Sequence, residues 1–177
     1  MEALVAYWSK TGNTKKVAFA IKEGLEEAGA KVTFKTTDEV NDIDWFDYEL
    51  VCIGFPSHQW RPPKPVDKML SSKHSKYNKE GYVRLGSPKI EGKNALIFCT
   101  YSGPHTGINE AIPTTKIVGQ YFDHLGFTIL DEWHILSELH GSEEMSTKGR
   151  LGNTKGLPSK DDLEKIKQEI LALAKKI

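Results

Sequence analysis

The chain has 177 residues, with 24 Lys and Arg balanced by 24 Asp and Glu, 38% hydrophobic residues and 27% charged ones. Such a length buries a full core in one domain spanning 1–177, while zero net charge without a basic, aromatic-interleaved stripe excludes the usual electrostatic basis of nucleic-acid binding. No apolar run reaches the length of a bilayer span, and the first strand begins at once without a signal-peptide pattern, so a cytoplasmic protein with no membrane partner is expected.

Ala3 to Tyr7 is a short apolar run suited to a parallel strand buried on both faces, and Val17, Ile21, Leu25 and Ala28 then recur at helical spacing up to a glycine stop at Gly29. Between them stand Ser9, Lys10, Thr11, Gly12, Asn13 and Thr14. A loop that leaves a strand and opens a helix has spare amide donors, and three hydroxyls with one glycine make it a socket for phosphate. The spacing is not that of a Walker A loop, and no G-x-G-x-x-G is present. A single terminal monophosphate fits these donors best.

Further along, Lys31 to Lys35 alternates as a less buried strand, whereas Leu50 to Gly54 and Ala95 to Cys99 are unbroken apolar runs suited to central strands. Cys52 and Cys99 fall inside these runs and read as reduced, buried thiols. Ile117, Val118, Tyr121, Phe122 and Leu125 form a helical stripe ending at Gly126, and a fifth strand begins at Phe127 to Leu130. A last helix carries Leu163, Ile166, Ile170 and Leu173 after a Ser159–Asp162 capping box. Its lysines alternate with acidic residues, as on a solvated face. This β-α-β alternation predicts an α/β fold, a parallel sheet covered on both faces with ligands at the carboxyl ends of its strands.

Two segments, about 73–93 and 136–158, are polar, lack either period and read as extra loops. The second repeats Gly-Asn-Thr-Lys at Gly152 to Lys155, but no strand feeds it, so a surface turn is expected there. His134 and His140, with Glu132, Glu138, Glu143 and Glu144, match no compact ligand spacing, and no metal site is assigned.

Ser9-x-Thr11-Gly12-x-Thr14 after the first strand resembles the phosphate loop of the flavodoxin family, and the later elements follow that family's order over nearly the whole chain. The resemblance implies a three-layer doubly wound sandwich with strand order 2-1-3-4-5, flavin mononucleotide (FMN) as cofactor, and electron transfer with a redox partner. It also implies that the loops after the third and fourth strands flank the flavin. The third strand empties into Pro56, Ser57, His58, Gln59 and Trp60, and the fourth into Thr100, Tyr101, Ser102, Gly103 and, past His105, Gly107. A flat tricycle with a polar edge needs aromatic walls and amide donors at its rim, which makes Trp60 and Tyr101 the wall candidates.

Three features depart from the electron carriers of that family. Those carriers are acidic around the flavin, but here His58, Arg61, Lys64 and His105 stand near it; the Tyr-Gly-Asp of their second flavin loop is missing; and no glycine occurs from Phe55 to Trp60, where a flipping peptide favours one-electron chemistry. An NAD(P)H-dependent flavin or quinone reductase is therefore the alternative, and a non-redox phosphate-ligand module a further one. No catalytic residue is assigned, and a homo-oligomer is compatible with either redox reading.

Overall fold

The computed structural model describes residues 1–177. Five parallel strands, β1 (Glu2–Tyr7), β2 (Lys31–Thr36), β3 (Leu50–Pro56), β4 (Asn94–Tyr101) and β5 (Thr128–Leu136), form one sheet in the order β2-β1-β3-β4-β5. The expected strand order is thus present. Helices α1 (Asn13–Glu27), α2 (Lys64–Lys79), α3 (Ile112–His124), α4 (Glu143–Lys148) and α5 (Lys160–Ala174) complete the chain.

The central strands are buried on both faces, so their side chains divide by parity between two cores. Leu4, Val51, Ile53, Phe55 and Ile97 face the layer holding Val66, Leu70, Val118 and Phe122 of α2 and α3. Val5, Leu50, Cys52, Leu96 and Phe98 face Val17, Ile21, Ile166 and Ile170 of α1 and α5. Where α1 crosses α5, a Cβ on Gly24 would stand 2.5 Å from the Lys167 carbonyl oxygen, so glycine lets the helices approach at that point. Cys52 and Cys99 are buried free thiols whose ionisation is pushed up by desolvation, as expected of packing residues.

Two expectations need correction. The segment 73–93 is not a loop throughout, because α2 runs to Lys79. Its buried face is Val66, Met69, Leu70, Lys73 and Tyr77, and the lysine hides the apolar period. Lys73 lies 2% exposed beneath the 41–45 segment, where its ammonium donates to the carbonyls of Asn41, at 2.9 Å, and Ile43. The second correction concerns 136–158. It contains α4, and its expected surface turn is pinned by Thr154, a buried residue whose hydroxyl donates to the Ser146 carbonyl at 3.1 Å.

Two capping arrangements differ in a way that bears on the site. At α5 the Asp162 carboxylate accepts from the Ser159 hydroxyl at 2.6 Å and from the Ser159 amide at 2.9 Å, and the Ser159 hydroxyl accepts from the Asp162 amide, a complete capping box whose bonds to the carboxylate, the hydroxyl's first, lower the Asp162 pKa. At α1 the N-cap is Gly12, at φ 101°, and no side chain caps the helix.

Candidate functional site

The loops after β1, β3, β4 and β5 converge at the carboxyl end of the sheet, where a cleft of about 310 Å³ is lined by Ser9, Lys10, Thr11, Asn13 and Thr14 on one side. Pro56, Ser57, His58, Thr100, Tyr101 and Ser102 line its other side. Most of the residues expected at the cofactor site thus meet in one place. Gly12 and Gly103 act from behind: the Gly12 amide donates to Ser9 Oγ at 3.1 Å, and the Gly107 amide closes the 103–107 turn onto the Gly103 carbonyl at 3.0 Å.

The first hydrogen bond of α1 runs from the Lys16 amide to the Gly12 carbonyl, and the amides of Asn13, Thr14 and Lys15 have no acceptor in the protein. Donors at a helix start, with the positive end of the helix dipole, require an acceptor, and a phosphate supplies several oxygens with negative charge. Asn13 and Thr14 are 5% and 1% exposed, so the socket is walled rather than open. Thr14 Oγ1 lies 2.8 Å from Thr100 Oγ1, which ties the first loop to the end of β4.

After β3 the chain makes a tight hairpin turn. The His58 amide donates to the Arg61 carbonyl at 3.0 Å and the Arg61 amide to the His58 carbonyl at 3.1 Å. Gln59 and Trp60 between them have φ of 50° and 63°, the sign pattern of a type I′ turn that normally takes Asn and Gly. With no glycine in this turn, the paired His58–Arg61 bonds hold a positive φ that neither Gln59 nor Trp60 favours. Trp60 is 60% exposed and lines a second, larger cleft of about 1280 Å³. Tyr101 lines only the smaller cleft, so the two aromatics do not face one common space; Ser57, His58, Ser102 and Leu139 are shared by both clefts.

Burial, aided by the Lys10 ammonium, pushes the His58 imidazole below its usual range, so it is neutral at pH 7. The Ser57 hydroxyl donates to the Glu110 carbonyl and meets Thr114 Oγ1 at 3.1 Å, fixing the hairpin to the start of α3.

A wall that sequence reasoning missed comes from the segment after β5. Ser137, Glu138, Leu139 and His140 line the smaller cleft, and Asn13 holds them there: its Nδ2 donates to the Glu138 carbonyl at 3.0 Å, and its Oδ1 lies 3.4 Å from His140 Nε2. His134 lies elsewhere, on β5, with its Nε2 3.0 Å from Thr115 Oγ1.

Residues 5–111 match the family model for flavodoxin. The chain is 37% identical over 119 residues to the flavodoxin-like domain-containing protein BilS of Clostridioides difficile (strain CD3), covering 66% of this chain and 56% of that protein. It is 29% identical over 97 residues to a flavodoxin of Clostridium beijerinckii, covering 55% and 62% respectively, so the chain spans less than two thirds of either curated relative. Among solved structures, oxidised Flavodoxin 2 from Bacillus cereus superposes with a TM-score of 0.68 at 16% identity, over 100% of both chains. The matched stretch runs from β1 through the phosphate loop and the β3 and β4 loops to the start of α3, and this chain belongs to the flavodoxin family.

Proposed function

We propose that this protein binds FMN noncovalently and passes electrons between redox partners. FMN is the cofactor of the flavodoxin family, and when bound it supplies a ring that accepts and releases electrons. The observation that carries the reading is the α1 N-terminus: three amides without acceptors, no side-chain cap, and the Thr11 and Thr14 side chains beside them.

In this reading the amides of Asn13, Thr14 and Lys15, with the Thr11 and Thr14 hydroxyls, hold the phosphate, and Lys10 adds positive charge at the mouth. The amides of Gln59, Trp60, Ser102 and Gly103 make no bond within the protein and are the donors available to the polar edge of the ring. Trp60 and Tyr101 bring apolar surface from two directions, Trp60 from the exposed side and Tyr101 from beside the phosphate. Neutral His58 offers one donor and one acceptor at the same edge without adding charge. No helix is long and apolar enough to cross a membrane, in keeping with a partner reached by diffusion.

The test is reconstitution followed by anaerobic reduction. The protein freed of flavin should take up one FMN per chain, keep it through gel filtration, and be reduced by dithionite and reoxidised by cytochrome c over repeated cycles. A protein that loses FMN on the column, or whose bound flavin cannot exchange electrons with cytochrome c, would contradict the proposal.

A further inference from the structure

Away from both clefts, a cavity of about 510 Å³ lies between the first half of α2 and the single helical turn Thr37–Glu39 that follows β2. Small-molecule sites occupy about 300–1,000 Å³, so the volume suits one small ligand. None of its lining residues lines the cleft beside the phosphate socket or the one that Trp60 lines.

One polar atom in this lining has no partner. Thr37 is 1% exposed, and its Oγ1 makes no hydrogen bond within the protein. Buried hydroxyls are almost always bonded, because an unmet one forfeits the bonds it made to water. Trp45 Nε1 is the other such atom, but the Lys73 ammonium lies 5.8 Å from the ring centroid and the indole lines no part of this cavity. The Thr37 hydroxyl therefore needs a partner from outside the chain.

The charges around it define that partner. Lys64 and Lys68 stand one helical turn apart on the cavity side of α2, and both are unpaired, since the ion pairs of α2 are those of Lys76. Helix α2 begins without a side-chain cap, so the positive end of its dipole adds to their field. Phosphate answers this set well: it carries charge for two ammoniums and enough acceptor oxygens to reach the Thr37 and Ser72 hydroxyls besides. Asp38 is the one carboxylate in the lining, and it is unpaired too, because Lys35 pairs at 3.8 Å with Glu39 instead. A free carboxylate accepts from hydroxyls, so a ligand that carries hydroxyls beside its phosphate satisfies both signs of the lining.

We propose that this cavity is a binding site for a phosphomonoester of a polyhydroxylated compound, separate from the flavin. Two sources share that chemistry: a free sugar phosphate, and the sugar-phosphate part of a nucleotide.

The experiment is calorimetric titration with ribose 5-phosphate at saturating FMN, so that the α1 socket is filled. Ribose 5-phosphate should bind one per chain, at least about tenfold tighter than inorganic phosphate or ribose. Thr37→Val keeps the side-chain shape and removes the unmet hydroxyl. It should weaken the sugar phosphate by about tenfold while leaving the ligand-free Tm unchanged or higher, a pair of results that a purely structural role would not give. Lys68→Gln should weaken binding by a similar factor, whereas Lys79→Gln, at the far end of α2, should not. AMP that competes and binds more tightly than ribose 5-phosphate identifies the nucleotide source; AMP that binds more weakly identifies the free sugar phosphate. Absence of saturable binding, equal binding of inorganic phosphate, displacement of FMN by the sugar phosphate, or unchanged affinity in Thr37→Val and Lys68→Gln would overturn the site. If the chain retains no FMN, the flavin reading fails separately. The same variants titrated on the flavin-free chain still decide this cavity, because neither Thr37 nor Lys68 lines the α1 socket.

Discussion

The loop after β1 and the loop after β3 reach the same cleft by opposite means. In the first, the left-handed backbone falls on Gly12, at φ 101°, where it costs little, and the two side chains that follow it, Asn13 and Thr14, are buried and bonded to Glu138 and Thr100. In the second, positive φ falls on Gln59 and Trp60, where each residue costs about 1–2 kcal/mol, and the side chain at the apex is exposed. A socket for a charge of fixed shape gains from rigidity at low strain. A turn that holds an aromatic out over a cleft stores strain at a functional position, and its neighbours must maintain it.

The largest effect should come from breaking the rigid loop. Thr14→Ala removes a hydroxyl beside the phosphate and its contact with Thr100, and should weaken FMN by about 1.5–3 kcal/mol, the worth of one hydrogen bond to a charged group. Thr11→Ala should fall at the lower end of that range, and fluorescence titration should find riboflavin affinity almost unchanged in both. Breaking the exposed loop acts on the ring instead. Trp60→Ala should loosen FMN and riboflavin alike, by about 1–3 kcal/mol if the indole stacks as it does on nucleobases, and should restore part of the quenched flavin emission.

Smaller effects separate strain from contact. Gln59→Gly lets the turn keep its φ of 50° without the Cβ penalty, and the unfolded chain gives back part of the gain in entropy. Thermal unfolding should show a stabilisation of about 0.5–1 kcal/mol. The equivalent change at Gly12, to Ala, should destabilise, since there the strain is newly created.

The edge strand β5, away from both loops, has its own pH dependence. Burial holds the His134 imidazole below its ordinary value, and the Lys116 ammonium adds to the shift against the neighbouring carboxylates. Well above the ordinary imidazole value of about 6.5 both folded and unfolded forms of this group are neutral and it contributes no slope. Below that, the unfolded chain takes up a proton that the folded chain resists, so stability is lost as pH falls through the window between the unfolded and folded values. Urea midpoints should therefore decline with acidification in this range, and His134→Gln should flatten that part of the profile.

Much of this was legible in the sequence because the responsible interactions are local. Unbroken apolar runs marked β3 and β4, the Ser159–Asp162 pair marked the start of α5, and the strand-to-helix flanks marked the phosphate loop. What escaped depends on contacts between distant residues. Helix α2 was hidden because Lys73 occupies a core-facing position that only the carbonyls of Asn41 and Ile43 make tolerable. The wall at residues 137–140 depends on a bond from Asn13 to Glu138 across 125 positions, which no local pattern encodes. The exposure of Trp60 follows from the His58–Arg61 pairing, which sets a turn type that its residues do not prefer.

The central claim is that the uncapped start of α1 is a phosphate socket, and parallel titration of the flavin-free protein with FMN and with riboflavin tests it most directly. The two ligands differ only in the phosphate, so the difference in affinity isolates the contribution of that group. The account predicts that FMN binds at least about a hundredfold tighter, since two charge-assisted hydrogen bonds at about 1.5 kcal/mol each suffice for that ratio. Equal affinity for the two flavins would contradict it.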